Sequence, residues 1–397
     1  MTRARGFIET TYDYPPDPLY GMGVYVGTLA EGLASAGGRV LVATRNNTGR
    51  PESETTDSGV QTLRCAAEWD RAHLQNGAPT RTAGLMAGIV ALSQDLFTRV
   101  QAIDFPGDVV HNHSFATVPL ACELAEQRDL PLISTVHVLD EMFDEAQGTS
   151  RPRTTDRHVN RALEAEGLRH SQAIVAPTET VRRAVAREYP DLAGRLHVLP
   201  HPVTGHVPRK TEYEAHKKFR ILYVGRIISY KGVRELLSAA RELPGVELWM
   251  VGDGPAREEL ESQAQQDSVA VRWLGQLPRE EVLQLYAQVD ALAVLSLVET
   301  YGLVLQEGQR SGVPIVCTDI AAFDDRISDG SDCLTVPVHL DDAEGRVDVE
   351  ALTEALRSLV GSTALRRQLG ENAARHADKQ QGLAEHAAQL QRLARNL

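Results

Sequence analysis

From residue 219 onward the chain alternates short apolar runs with helical segments of about ten residues, and this restricts the fold more than any other feature. The strands are FRILYVGR, VELWMV, VAVRWLG, residues 289–296 and residues 313–318; the helices fall at 233–243, 256–265, 279–288 and from about 303. Buried parallel strands read as continuous apolar runs and need helical crossovers between them, so the pattern predicts a right-handed α/β sheet of the doubly wound kind. The first half carries the same grammar less clearly. Strands are expected at 5–11, 40–44, 108–113, 131–138, 173–176 and 196–199, with helices at 24–36, 85–100 and 179–188. Residues 48–83 are polar without a clear period and read as an insertion or loop. A chain of 397 residues has room for two cores. The proline- and charge-rich stretch PHPVTGHVPRKTEYEAHKK (200–218) places the boundary, giving domains over 1–205 and 206–379 and a helical segment over 380–397.

The alternation leaves one corner unexplained. Glu299 and Glu307 stand eight residues apart where a buried strand turns into a helix. Ligands of open parallel sheets bind at the carboxyl ends of strands, where Glu299 lies, and Glu307 falls one turn into the helix. Between them Tyr301, Gly302, Leu303 and Val304 would offer free backbone N–H groups at a helix N-terminus, a ready phosphate site. Two carboxylates suit the hydroxyls of a sugar and a ribose, and the amides between them suit a diphosphate. Arg226 and Lys231 follow the first strand of the same half, on the side expected for Glu299. As a sugar–phosphate bond breaks, fixed cations there would stabilise the charge that develops on the leaving pyrophosphate. In isolation, each of these residues is an ordinary surface charge.

Composition removes several classes. The formal charge of −13 argues against nucleic acid or an anionic membrane as partner. The four cysteines form no C-x-x-C pair, no apolar run approaches 18 residues and no leader-like segment opens the chain, so a soluble protein of the reducing cytosol is expected. Histidines 111, 113 and 137 sit near strand ends, yet no second ligand spacing accompanies them and no metal is expected; His137 is the functional candidate. Gly21-x-Gly23-x-x-x-Gly27 loosely matches a dinucleotide fingerprint, with Arg45 in place of the usual acidic residue, which keeps an NADP-dependent oxidoreductase as a rival. Residues 139–170 run from acidic to basic, a solvated face or a loop with arginines for an anionic acceptor.

The runs GMGVYVGTLAEGLASAGGRVLVAT, DVVHNHS, ISTVHV, ILYVGRIISYKGV, LWMVGDGP and VETYGLVLQEGQRSGVPIVCTD, in this order, resemble glycosyltransferase family 4, retaining enzymes of the GT-B fold. The resemblance implies two Rossmann-like doubly wound domains facing a central cleft, with the final helix crossing back to the first. It implies that Gly21 and Gly23 approach the donor diphosphate in a glycine loop and that Arg226 and Lys231 bind it and assist its departure. Glu307 would grip the ribose, Glu299 would face the donor sugar, and Tyr301, Gly302 and Leu303 would meet phosphate. Gly254, Gln276 and Leu277 would flank the base, and His137 would lie beside the reacting sugar. Tyr20, His113, Arg153 and Arg157 are acceptor-side candidates; Tyr20 stands where the family usually has glycine. The activity so implied moves a hexose-type sugar (glucose or N-acetylglucosamine class) from a nucleoside diphosphate, UDP by default, to a hydroxyl of a small or lipid-linked acceptor. No cofactor, metal or enzymic nucleophile is expected, in keeping with the lack of any D-x-D. A protein that binds or epimerises sugar nucleotides without transfer is the alternative.

Overall fold

The computed structural model describes residues 6–16, 21–46, 49–66, 81–139, 142, 154–202, 205–340 and 345–397. The chain divides into two compact units: Met1–Asp140 with Pro152–Pro202 and Gln381–Leu397, and Glu141–Arg151 with Val203–Gln380.

The first unit is built on strands β1 (Gly6–Thr11), β2 (Arg39–Asn46), β3 (Ser53–Thr55), β4 (Gln61–Ala66), β5 (Val109–Asn112), β6 (Leu132–Thr135), β7 (Ala173–Ala176) and β8 (Leu196–Val198). They lie in the order β3-β4-β2-β1-β5-β6-β7-β8, parallel except for the antiparallel β3–β4 pair. Strand order therefore reverses between β1 and β5. The polar half of β1 is buried: Glu9, Thr10 and Thr11 are inaccessible, and Thr10 Oγ1 donates to Asn112 Oδ1 of β5 at 3.0 Å. Helix α1 (Gly21–Ser35) begins three residues earlier than expected, so Gly21 and Gly23 belong to its first turn and form no loop.

The expected insertion at 48–83 is corrected in its first part. β4 pairs with β2 along its whole length, and its Thr62 and Arg64 are buried. These polar side chains hid the strand in the sequence; Arg64 is satisfied by Glu54 at 2.7 Å and by the carbonyl of Pro15 at 3.1 Å. Helix α2 (Arg81–Gln101) follows. The last helix, Leu383–Arg395, buries Ala387, Leu390 and Ala394 in one cluster with Leu29 and Leu33 of α1.

The second unit carries β9 (Phe219–Val224), β10 (Val246–Val251), β11 (Val271–Gly275), β12 (Ala291–Val294), β13 (Ile315–Thr318) and β14 (Leu334–Val336). All are parallel, in the order β11-β10-β9-β12-β13-β14. Numbered within the unit this is 3-2-1-4-5-6, the dinucleotide-fold order, whose crevice opens where the order reverses, between β9 and β12. The element boundaries follow the sequence closely here because nearly every buried strand position is apolar: β12 and β13 are buried throughout. The helix Leu303–Ser311 connects them, ended by Gly312 in the left-handed conformation.

Candidate functional site

The reversal point of the second unit brings together two of the predicted charges, Lys231 and Glu299. Lys231 lies in the short 3₁₀ turn Ser229–Lys231 after β9, and Glu299 follows β12. Their side chains form an ion pair, both about one-fifth exposed. Ser296 braces the pair: its hydroxyl accepts from Lys231 Nζ at 3.1 Å and donates to Glu299 Oε1 at 3.0 Å. The carbonyl of Ser296 is in turn held by Thr318 Oγ1 of β13 at 2.6 Å. A cation and a carboxylate are thus fixed at one strand edge with part of each open to solvent.

Next to Glu299 the chain turns through Gly302 (φ 78°, ψ 70°) into the helix Leu303–Ser311. A Cβ on Gly302 would stand 2.7 Å from the ring of Phe323, so both backbone angle and space demand glycine. The amides that open this helix have no partner four residues back, and together with the helix dipole they favour negative charge at this corner. Arg326, buried, donates through Nη1 to the Tyr301 carbonyl and lies 3.9 Å over the Tyr301 ring. Burial lowers the pKa of this guanidinium from its usual range. Neither Ser296 nor Arg326 was singled out in the sequence; their signal lies in contacts between segments remote along the chain.

Glu307 belongs to a different arrangement. Its side chain is 6% exposed, with Oε1 2.6 Å from Arg279 Nη1 and Oε2 accepting from the Tyr286 hydroxyl at 2.7 Å. Burial, then the charge of Glu307, push the Tyr286 phenol well above its ordinary value, so it stays a donor. Glu299 and Glu307 therefore flank the amide corner without sharing a partner. Arg226 is exposed, and its carbonyl accepts from Tyr223 Oη at 2.6 Å. Gly254 packs on this turn, where a Cβ would come 2.4 Å from the carbonyl of Ile227. Gln276 is exposed and Leu277 half-buried against the core that holds Tyr286.

At the reversal point of the first unit the groups are buried histidines. Glu9 of β1 stands opposite His111 of β5. Glu9 Oε2 lies 2.6 Å from His113 Nε2 and 3.0 Å from His111 Nδ1, and His113 Nδ1 lies 3.1 Å from His137 Nε2. His111 Nε2 is 2.8 Å from Thr135 Oγ1. The Tyr25 ring packs against His113, His137, His201 and His386, and its hydroxyl donates to His386 Nε2 at 2.9 Å, while His386 Nδ1 donates to the Pro200 carbonyl. Among the described residues, Glu9, His111 and His113 are the group whose donor atoms gather as a metal would need, within 4.8 Å. The 2.6 Å contact of Glu9 with His113 is a hydrogen bond, while His111 Nδ1, 3.0 Å from Glu9 Oε2, and Glu9 Oε1 make none among the described residues. His137 and His113, expected from sequence, thus meet here, and Glu9 is the member that sequence reading missed because a glutamate inside a strand gives no periodic signal.

Arg157 is half-buried on the helix Thr155–His170. Tyr20 and Arg153 lie outside the described residues. Arg45, the residue that kept a dinucleotide reading open, is buried and donates to Tyr12 Oη at 2.6 Å. No described helix is long and apolar enough to cross a membrane.

Two family models match: "Glycosyl transferase 4-like domain" over residues 20–202 and "Glycosyl transferases group 1" over residues 208–376. The chain belongs to the GT-B glycosyltransferases, its halves carrying the 4-like and group 1 domains in that order. It is 25% identical over 377 residues to a glycogen synthase of Mycobacterium tuberculosis, covering 90% of this chain and 86% of the relative. It is 28% identical over 395 residues to a D-inositol 3-phosphate glycosyltransferase of Xylanimonas cellulosilytica, covering 93% and 90%. Sucrose-phosphate synthase from Thermosynechococcus elongatus has a similar fold, with a TM-score of 0.80 at 19% identity over 99% of this chain and 98% of that one. The Anabaena protein HepE, solved in complex with UDP-glucose, gives 0.72 at 15% identity over 99% and 100%.

Proposed function

We propose that the chain transfers a hexose-type sugar from a nucleoside diphosphate hexose, UDP-linked, to a hydroxyl of a small or lipid-linked acceptor, with retention of configuration and without a metal. The observation that carries this reading is the Lys231–Ser296–Glu299 cluster beside the Gly302 amide corner, at the reversal point of the second sheet. A diphosphate at the amides would draw Lys231 toward its oxygens and leave Glu299 to accept hydroxyls of the sugar. Arg226 would add a second cation, and Glu307, held by Tyr286 and Arg279, would take the ribose hydroxyls. In the transfer, the bond from the anomeric carbon to the phosphate oxygen breaks and a bond to the acceptor oxygen forms on the same face. The acceptor's proton passes to the leaving phosphate oxygen, so no side chain is assigned as nucleophile. The glycogen synthase and inositol phosphate glycosyltransferase relatives favour a hexose donor and a polyhydroxylated acceptor, an inositol-type or other specialised molecule.

Thermal shift with UDP, ADP and GDP tests the donor side. A ligand at 100 times its dissociation constant adds about 2.7 kcal/mol of stability. UDP is expected to give the largest shift and Glu307→Gln to remove most of it; Gln keeps the side-chain shape beside Tyr286, which alanine would not. An intact UDP shift in Glu307→Gln defeats the ribose assignment. No shift with any of the three nucleotides defeats the transferase reading itself.

A further inference from the structure

The contacts running from Glu9 to His137 determine where each proton sits. Burial pushes the Glu9 carboxyl up, but His111 and His113 outweigh it and bring the group down to about 2, so it is ionised and can only accept. The 2.6 Å contact to Oε2 therefore puts a proton on His113 Nε2. Burial, with His111 adding to it, brings His113 down to about 4 against the pull of Glu9, so at neutral pH it carries that single proton and Nδ1 is bare. A bare Nδ1 accepts, so the 3.1 Å contact obliges His137 to donate from Nε2. Burial, then His201, His113 and His111, hold His137 well below its ordinary value, and its remaining proton count is one. Its Nδ1 is left as a lone pair with no hydrogen-bond partner among the described residues.

We propose that Glu9 is a positioning residue which, acting through His113, holds His137 in the tautomer with a bare Nδ1, so that His137 meets its ligand as a hydrogen-bond acceptor for a hydroxyl. Exposure rises along the same path, from 0% at Glu9 through 3% at His113 to 8% at His137, so the chain of contacts leads from the core outward. The carboxylate does for this histidine what outer carboxylates do for metal-bound or catalytic histidines: it chooses the nitrogen that stays free. A cation on Glu9, His111 and His113 is the competing account, and it would place each donor atom at about 2.0–2.2 Å from the ion and break the Glu9–His113 hydrogen bond. The tautomer assignment stands on this unit alone; the hydroxyl-bearing ligand rests on the sugar-transfer reading.

Protein labelled with ¹⁵N at its histidines gives a direct readout, because long-range ¹H–¹⁵N correlations distinguish the protonated ring nitrogen from the bare one. His137 and His113 are both expected with the proton on Nε2. Glu9→Gln, whose amide can donate as well as accept, should mix the tautomers of both; Glu9→Asp, which keeps the charge, should hold them. With UDP-glucose as the probe and UDP release as the signal, Glu9→Gln should lower kcat/KM by roughly 10- to 100-fold, with UDP affinity unchanged. A wild-type His137 protonated at Nδ1, tautomers indifferent to Glu9→Gln, or a stoichiometric metal in the purified protein overturns the proposal. Should Glu9→Gln fail to fold, the wild-type spectrum still decides. Wild-type protein that does not turn over UDP-glucose counts against the transferase reading and leaves the tautomer result intact.

Discussion

Both units reverse strand order once beside their first strand, and the two reversal points are chemically unlike. Between β9 and β12 the second unit sets a lysine against a glutamate, each about one-fifth exposed and braced by Ser296. Between β1 and β5 the first unit buries one carboxylate among imidazoles, with Glu9 and His111 wholly inaccessible. Topology supplies a crevice in either case. What differs is the kind of group each presents: partly exposed full charges in one, buried imidazoles around a carboxylate in the other. Charge that stays at the edge keeps its hydration until a ligand arrives; groups sunk in the core must be satisfied by one another beforehand.

Acid should separate the two most strongly. His113 and His386 each stand at about 4 when folded, against 6.5 for the free side chain, chiefly through burial. A depressed histidine favours the fold while neutral, so its contribution is complete above pH 6.5 and is lost as pH falls toward 4. The loss is on the order of 3 kcal/mol for each histidine. Chemical denaturation from pH 7.5 to 4.5, read with a probe in the first unit, should show that decline; a flat profile would mean the histidines are already solvated.

Lys231→Ala attacks the other side of the comparison. Removing a fixed donor from a developing oxyanion costs about 2.7–4 kcal/mol in the transition state. UDP release from UDP-glucose should therefore slow by a factor of roughly 10² to 10³, with little change in the melting temperature of the unliganded protein. A rate within twofold of wild type would remove Lys231 from the machinery. The smallest of the three effects is expected from Gly302→Ala, which forces a side chain into the left-handed region and against Phe323. It should cost about 1–3 kcal/mol of stability and, if the proposed donor site is right, weaken UDP more than uridine, since the displaced amides would then face phosphate. Equal weakening of both would show that the corner is merely a tight turn.

The same contrast explains what could be read from the sequence. In the second unit strand positions are apolar and loops are charged, so the elements from β9 to β13 and the residues Lys231, Glu299 and Gly302 stood out. In the first unit Glu9, Thr62 and Arg64 are buried polar residues inside strands, Glu9 paired with His113 104 positions away and Arg64 with Pro15 and Glu54, 49 and 10 positions away. Such satisfaction is tertiary, and a one-dimensional pattern registers only the polarity. That is why β4 looked like part of a loop and why Glu9 went unnoticed beside the histidines it organises. The partners of Glu307 were hidden likewise: Tyr286 and Arg279 come from an adjacent helical segment whose inward face cannot be told from its spacing alone.

The helix Leu383–Arg395 belongs to the first unit although all of the second precedes it in the chain. A ribosome consequently releases the partner for Leu29 and Leu33 only after the second unit, through Gln380, has been made. Until then the nascent first unit carries an uncovered greasy stripe and a Tyr25 hydroxyl waiting for His386. Completion of the earlier-born half is thereby tied to translation of the later one, so a stalled or shortened message yields a product that quality control can recognise by its exposed flank.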